Sequence, residues 1–360
     1  MARNFHALTI TDVRHETPDA VSIAFAVPEK LRRLFDFVPG QYLTLKTEVG
    51  KQELRRTYSI CSGLDEGELR VAVKQVDGGR FSAFANSNLA PGQAIEVMPP
   101  LGAFGIAPDP AAQRVYVGLA CGSGITPILS IIKSMLEREP QSRFILLYGN
   151  RTTASILFRE ALDDLKDRYL DRLSIFHVLS RELQDLEALN GRLDGDKIAL
   201  LLGRLIDIAA IDHVFVCGPG SMPDESLVCL QALGIPAERI HLERFTPTLD
   251  GAAPAASVTA AAAKPAQPAA EAEITLDGSR HRFPVAAGES VVDAALRAGL
   301  ELPYSCRGGM CCTCRAKIVE GSAEMVTNYS LEPWEIEAGF TLTCQARPTS
   351  PRLVLDYDQV

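Results

Sequence analysis

From Pro247 to Ala272 the sequence reads PTLDGAAPAASVTAAAAKPAQPAAEA, and no hydrophobic core can be built from it. Alanine and proline dominate, large apolar residues nearly vanish, and the stretch reads as a linker, with SVTAAAAK able to form one or two helical turns. One continuous interior across all 360 residues is therefore excluded. As a flexible chain, roughly 25 residues reach about 25 to 30 Å, enough for flanking domains to dock and separate. A length of 360 residues, at about 150 per domain, also implies two or three units.

The segment before the linker changes rhythm near residue 105. Up to that point ALTITDVRHE, AVSIAFAV, QYLTLKTE, LRVAVKQV and AIEVMPP alternate with Gly, Pro and Asp turns, the pattern of a small antiparallel β-barrel over residues 1–105. Over 106–246 strand-like and helix-like runs alternate: RVYVGLA then TPILSIIKSMLERE, RFILLYGN then ILFREALDDLKDRY, LSIFHVLS, and HVFVCGP then SMPDESLVCLQALG. HVFVCGP reads as the last clear strand. Such alternation implies βαβ units and a parallel sheet. The third unit is expected to run from 273 to 360.

That unit holds the cysteine cluster YSCRGGMCCTC. Cys306, Cys311 and Cys314 follow C-x4-C-x2-C, and Cys344 comes after 29 intervening residues. This is the plant-type [2Fe-2S] spacing, in which a short glycine-bearing loop presents thiolates from several sides and backbone amides face the bridging sulfides. Tetrahedral zinc is the main rival, although zinc ribbons pair two CxxC knuckles and only one occurs here. A dithiol at Cys311 and Cys314 leaves Cys306 and Cys344 unexplained. Cys312, Cys61 and Cys229 read as packed or loop thiols. Upstream, EITLDGSRHRFPVAAG reads as a hairpin and SVVDAALRAG as a helix with Ser290 at its N-cap and Gly299 as its stop.

Two motifs in the first half suit nucleotide cofactors. RRTYSI places Arg56, Tyr58 and Ser59 so that a guanidinium can clamp phosphate, a ring can stack on isoalloxazine and a hydroxyl can reach the flavin edge. Gly79 and Ser82 lie in GGRFS, whose amides can cradle a pyrophosphate. In VYVGLACGSGITPILSII, Gly122, Gly124 and Pro127 form G-x-G-x-x-P between a strand and a helix. Pro127 is expected to open that helix, and Thr126 to cap it or bind ligand. Arg151, Ser180 and Arg181 end two further strands, where cationic and hydroxyl groups favour the 2′-phosphate of NADPH over NADH. Cys217 and Gly218 end HVFVCGP.

Residues 1–246 resemble the ferredoxin-NADP reductase family, and residues 273–360 resemble plant-type ferredoxins. The resemblance implies an antiparallel FAD barrel, an α/β NADP domain and an α+β β-grasp iron-sulfur domain. It assigns FAD contacts to Arg56, Tyr58, Ser59, Gly79 and Ser82, and NADP contacts to Gly122, Gly124 and Pro127. It also puts Cys217 near nicotinamide and flavin, and the ERF segment Glu243 to Phe245 at the flavin edge. Tyr58, Ser59, Cys217 and Glu243 are the expected catalytic residues. Cys306, Cys311, Cys314 and Cys344 are the expected metal ligands. Reductase first and ferredoxin last, with ELRRTYSIC, LLYGNRT, IHLERF and TNYSLEPWE, is similar to reductase subunits of multicomponent epoxidases of phenylacetate breakdown. This implies electron flow from NADPH through FAD and the [2Fe-2S] cluster to a separate di-iron oxygenase subunit. The alternatives are a reductase of another aromatic or soluble oxygenase, or a zinc-stabilised nucleotide-binding module that is not an enzyme.

Composition narrows the partners. A net charge of −9 offers no global basic field for nucleic acid or an anionic membrane, though a local patch can serve a phosphorylated cofactor. The unit from residue 273 carries twelve acids against eight Lys and Arg, which suits docking on a basic partner. MARNFHALTI lacks a signal-peptide pattern, no run approaches about 18 apolar residues, and nine cysteines fit a reducing compartment. The cytoplasm is the expected location.

Overall fold

The computed structural model describes residues 4–245, 268–331 and 333–359, so the first 21 residues of the expected linker lie outside the described residues. The chain divides into two compact units, the larger built mainly before that stretch and the smaller after it.

In the larger unit, β1 (His6–Thr17), β2 (Ala20–Ala26), β3 (Tyr42–Val49), β4 (Gln52–Ser59), β5 (Leu69–Lys74) and β6 (Ala94–Leu101) form one sheet in the order β4-β3-β6-β1-β2-β5. A bridge between Ile60 and Val71, with the Cys61 amide donating to the Arg70 carbonyl at 2.9 Å, ties the end of β4 to β5 and rolls the sheet towards closure. Leu8, Ile10, Val21, Ile23, Leu43, Leu45, Val71 and Val97 fill its interior. GGRFS is not a loop here but the entrance of α1 (Arg80–Asn88). Sequence periodicity misses this helix because its buried residues are few: Phe81, Ser82 and Ala85.

The second half of this unit is a parallel sheet. Its strands are β7 (Val115–Cys121), β8 (Arg143–Asn150), β9 (Leu173–Leu179), β10 (His213–Pro219) and β11 (Ile240–Phe245), ordered β11-β10-β7-β8-β9. The helices are α2 (Ile125–Arg138), α3 (Arg159–Arg168), α4 (Gly195–Leu205) and α5 (Met222–Ala232). Two elements depart from the sequence reading. HVFVCGP is followed by a further strand, β11, whose IHLERF is half-buried along most of its length and shows little apolar alternation. The helix α4, GDKIALLLGRL, opens on a glycine and depends on Asp194, whose carboxylate accepts from the Lys197 amide at 3.0 Å. Because β8 and β9 lie on one side of β7 while β10 and β11 lie on the other, a crevice opens at the carboxyl ends of β7 and β10.

α2 joins the two halves. It buries Ile125, Ile128, Leu129, Ile131, Ile132, Met135 and Leu136, together worth about 10 to 20 kcal/mol before chain entropy is charged. Ala20, Cys61 and Ala72 of the barrel pack into the same cluster. The Ser130 hydroxyl donates to the Ser62 carbonyl at 2.7 Å, and Lys133 pairs with Glu66 at 2.8 Å. Gly63 allows the approach, since a Cβ there would stand 2.8 Å from Lys133 Cβ. The barrel edge is thus held over the nucleotide half.

In the smaller unit, β12 (Pro268–Leu276), β13 (Ser279–Ala286), α6 (Val291–Arg297), β14 (Arg315–Glu320), β15 (Ala323–Met325), α7 (Pro333–Glu337), β16 (Phe340–Leu342), β17 (Ala346–Pro348) and β18 (Arg352–Asp356) follow in sequence. Five of the strands form a sheet ordered β13-β12-β18-β14-β16, and β15 pairs with β17. The first hairpin turns through Asp277 and Gly278, both at positive φ as a type I′ turn requires. α6 lays Val291, Ala294 and Ala295 on the sheet's core, the grasp arrangement. Ser290 caps it by accepting from the Asp293 amide at 3.1 Å. β12 begins at Pro268, so residues 268–272 are strand rather than linker. Ala270 and Ala272 are small, but between β13 and β18 they are fully enclosed, which composition cannot reveal. Among the described residues no helix is long and apolar enough to cross a membrane.

Candidate redox centres

β4 carries the R-x-Y-S residues on a strand whose side chains alternate, so Arg56 and Tyr58 share one face and Ser59 takes the other. Arg56 and Tyr58 are half-buried; the Tyr58 ring lies 5.5 Å from Phe81, the second residue of α1. No side chain caps α1, so an anion at its N-terminus would meet no competing side chain there. Gly79 must be glycine, because a Cβ would sit 2.4 Å from Val76 Cγ2 and 2.5 Å from Ser82 Oγ. Ser82 is spent locally: its Oγ donates to the Gly79 carbonyl at 3.1 Å and accepts from the Val76 amide at 3.2 Å. The cradle fits a pyrophosphate through backbone amides.

At the crevice, Gly122 takes φ 56° and opens a short turn, Gly122–Gly124, that runs into α2. A Cβ on Gly124 would stand 2.1 Å from the Cys217 carbonyl oxygen, so glycine lets this turn press against β10. Gly218 is similarly enclosed, with a Cβ meeting Met222 Sδ at 2.9 Å. α2 starts at Ile125, so Pro127 is its third residue rather than its first, and the Thr126 hydroxyl is buried, donating to the Ser123 carbonyl at 3.0 Å. Neither side chain caps the helix; its first amide, that of Ile125, donates to the Gly122 and Ser123 carbonyls, and Pro127 has no amide hydrogen. Tyr148, invisible as a site residue in sequence, donates to the Gly122 carbonyl at 3.0 Å and steadies the loop. Asn150 Nδ2, at the end of β8, is buried with no partner among the described residues, an orphan donor suited to a nucleotide. Arg151, Ser180 and Arg181 are exposed beside it, joined by the Arg181 amide donating to the Arg151 carbonyl at 2.8 Å. Glu182 is drawn off by the Thr153 amide and hydroxyl at 2.7 and 2.6 Å.

Three expected residues meet where the barrel faces the crevice. Ser59 Oγ donates to Glu243 Oε2 at 3.2 Å, and Cys217 Sγ donates to the same oxygen at 3.8 Å. Cys217 and Glu243 face one another across the β10–β11 register. Burial pushes the Glu243 carboxyl up to about 8, against the lowering effect of Ser59 and Cys217. Burial, with Glu243 beside it, also pushes the Cys217 thiol well above its ordinary range. At neutral pH the pair is therefore a carboxylic acid and a thiol, able to hold a proton but not to act as a thiolate nucleophile. Phe245, two residues on, is half-buried and packs against the α2 cluster.

In the smaller unit the four sulfurs form two pairs. Cys311 beside Cys306 holds the Cys306 thiol below its ordinary range, and Cys314 beside Cys344 lowers Cys344, while Cys311 and Cys314 are themselves raised. Met310 and Gly308 direct amides at Cys306 Sγ, each at 3.4 Å, and the Cys306 amide points at Cys311 Sγ at 3.5 Å. Arg307 and Gly309 take positive φ, which turns the loop's amides inward. The Ser305 hydroxyl, next to Cys306, is buried with no partner among the described residues. Two thiol pairs, convergent amides and an orphan donor fit a dinuclear cluster of two irons and two sulfides. Zinc would gather its ligands around one point rather than in two pairs. Gln345, which the sequence reading did not single out, donates from Nε2 to the Arg307 carbonyl at 2.6 Å and closes the loop over Cys344. Cys312 donates to the Ser330 carbonyl at 3.5 Å, Cys61 to Arg70 at 3.4 Å and Cys229 to Gly195 at 3.0 Å, the packed thiols expected.

A barrel edge, a nucleotide crevice and a cysteine loop in one chain define a flavin- and nicotinamide-dependent oxidoreductase with an iron-sulfur domain. Known domain families agree: an oxidoreductase FAD-binding domain matches residues 7–106, an oxidoreductase NAD-binding domain 119–226, and a 2Fe-2S iron-sulfur cluster binding domain 274–349. The chain belongs to the family of oxygenase reductase components that unite these three domains. It is 46% identical over 356 residues, covering 98% of each chain, to one of the subunits of the 1,2-phenylacetyl-CoA epoxidase of Escherichia coli (strain K12). It is 34% identical over 352 residues, covering 97% of this chain and 96% of the relative, to the ferredoxin reductase component of 3-ketosteroid-9-alpha-monooxygenase of Rhodococcus rhodochrous. The solved phthalate dioxygenase reductase shares the fold, with a TM-score of 0.58, 24% identity and 98% of both chains covered.

Proposed function

We propose that this protein is the NADPH-dependent reductase of a phenylacetyl-CoA epoxidase, working in the cytoplasm and passing electrons one at a time to a di-iron oxygenase subunit. The observation that carries the reading is the cysteine loop, where the Gly308 and Met310 amides face Cys306 Sγ and the Cys306 amide faces Cys311 Sγ, while Thr343 binds the Cys314 carbonyl and so brings Cys344 beside Cys314. Flavin, when bound, accepts a hydride from the nicotinamide and releases electrons singly, the conversion that a one-electron iron-sulfur centre requires.

The chain's own residues do the rest. Arg56 and Tyr58 hold the flavin at β4, and the amides at Gly79 bind its pyrophosphate. Gly122, Gly124 and the start of α2 would receive the NADPH diphosphate, and Cys217 and Gly218 would line the nicotinamide site. Glu243, protonated at neutral pH, holds a proton that Ser59 Oγ, 3.2 Å away, would relay: as the hydroxyl gives its own proton towards the flavin edge, the acid's proton replaces it and leaves the carboxylate behind. Arg151, Arg181 and Ser180 favour a 2′-phosphate, with Glu182 occupied elsewhere. The four thiolates hold the cluster.

Absorption of the protein as isolated, then anaerobic NADPH titration, tests the reading: flavin and cluster bands bleach in turn, and the reduced protein supports turnover by purified phenylacetyl-CoA epoxidase oxygenase subunits. Turnover with a different oxygenase but not this one would transfer the partner assignment. A colourless, zinc-containing protein would end the redox reading.

A further inference from the structure

We propose that Trp334 and Tyr329, with Val326, form the face on which the oxygenase subunit docks to collect electrons. The proposal rests on the reading that the thiol pairs deliver electrons to such a subunit.

Trp334 is the chain's single tryptophan, yet it is 62% exposed; Tyr329 is 53% and Val326 68% exposed. Three large side chains within nine positions are each more than half exposed although the smaller unit has core space for aromatics such as Phe283 and Tyr357. Exposed aromatics of this kind are the residues that anchor protein interfaces.

Their place in the fold says which interface. The segment is laced to the cysteine loop. The Tyr329 amide donates to the Gly309 carbonyl at 2.9 Å, the Ser330 hydroxyl to the same oxygen at 3.2 Å, and the Cys312 thiol to the Ser330 carbonyl at 3.5 Å. The Val326 amide donates to the carbonyl of Gln345, the neighbour of Cys344. Asn328 Oδ1 accepts from the Ser330 and Leu331 amides at 3.2 and 2.8 Å, fixing the turn that displays Tyr329. On the other side of Trp334, Glu335 is buried and paired with Arg315 at 2.9 Å, one residue from Cys314, so α7 is anchored beside the second thiol pair. The exposed side chains are therefore carried on a rim hydrogen-bonded to the cysteine loop. Electron transfer falls steeply with distance, so a partner that takes electrons must seat against such a rim.

Charge identifies the occupant's chemistry. The unit carries twelve acids against eight bases, and Glu337 is exposed next to the patch, so the fitting partner surface is apolar at its centre and cationic at its edge. Two aromatic anchors on a small contact suit the brief encounters of electron carriers.

The test uses the full-length holoprotein with Trp334→Ala, Tyr329→Ala and the conservative Trp334→Phe. Three quantities are read: flavin and cluster absorption, the rate at which NADPH bleaches the cluster within the chain, and the KM for purified phenylacetyl-CoA epoxidase oxygenase subunits. Trp334→Ala raises that KM about tenfold or more, which corresponds to about 1.4 kcal/mol. Trp334→Phe recovers most of the loss, and absorption and internal bleaching stay at wild-type values. A KM unchanged in both alanine variants overturns the proposal. So does slowed internal bleaching at an unchanged KM, which would make the patch a contact for this chain's own flavin domain. Should wild type bleach with NADPH yet feed none of the oxygenase subunits, the functional reading falls, and this proposal with it.

Discussion

Gly124 carries the sharpest steric demand in the nucleotide crevice. Replacing it with alanine puts a Cβ 2.1 Å from the Cys217 carbonyl oxygen, where ordinary contact begins at about 3.4 Å, so turn and strand must part by about 1.3 Å. The atoms it meets are all backbone, and β10 is pinned between β7 and β11, so no side-chain rotation can absorb the clash. Overpacking of this kind costs about 1 to 3 kcal/mol, which lowers the melting temperature of the larger unit by about 4 to 8 °C for a mid-range loss of 2 kcal/mol. The functional cost is larger. A misplacement of about 1 Å in a reacting pair slows the reaction about 100-fold, so stopped-flow reduction of the flavin by NADPH falls by that order while cluster absorption is untouched. Gly122→Ala is the control: it meets nothing within 4 Å but must hold φ 56°, at a cost of roughly 1 to 2 kcal/mol without displacing Cys217. If Gly124→Ala reduced its flavin at the wild-type rate and melted unchanged, the argument that close approach of turn and strand shapes this site would be refuted.

Further outcomes follow from the same geometry. Glu243 is raised from 4.5 to about 8, so the folded protein keeps a proton the unfolded chain has lost. Stability is then full below about 4.5 and declines as pH climbs to about 8, by about 5 kcal/mol at most and about 2 once the half-buried side chain's access to water is counted. Glu243→Gln abolishes this slope in melting curves taken from pH 5 to 9, together with the rate inflection near 8; a parallel slope in the variant would assign the titration elsewhere. Cys311→Ser removes cluster absorption while NADPH still bleaches the flavin, and retained cluster bands would mean that Cys311 is not a ligand. Arg181→Ala with Arg151→Ala raises KM for NADPH about tenfold or more and leaves NADH unchanged; an equal effect on both nucleotides would place the arginines away from the 2′-phosphate.

How much of this is legible in the residues depends on how local each feature is. G-x-G-x-x-P, R-x-Y-S and the cysteine spacing are short-range demands on backbone shape, and each is readable where it stands. Features that depend on packing are not. β11 is unremarkable as IHLERF, since an edge strand that is half-buried beyond its first residue shows neither helix nor strand periodicity. The start of β12 hides among alanines that are enclosed only because β18 returns alongside. Ser82 and Thr126 have the chemistry of ligand groups, but each hydroxyl is claimed by a backbone group of its own turn, a competition that residue type does not disclose. Asn150, Gln345 and Ser305 carry no signal, because an orphaned or bridging polar atom is defined by what surrounds it.

The linear order of residues decided the three-module plan, the loops able to receive phosphates and sulfides, and which cysteines could act together, because those properties depend on chain geometry over a few bonds. Tertiary packing alone decided that Cys344 joins Cys314 and that Ser59 reaches Glu243 at a sequence separation of 184. It also decided that this carboxyl keeps its proton at neutral pH, since the energy of a charge is set by the medium around it, and only the folded chain supplies that medium.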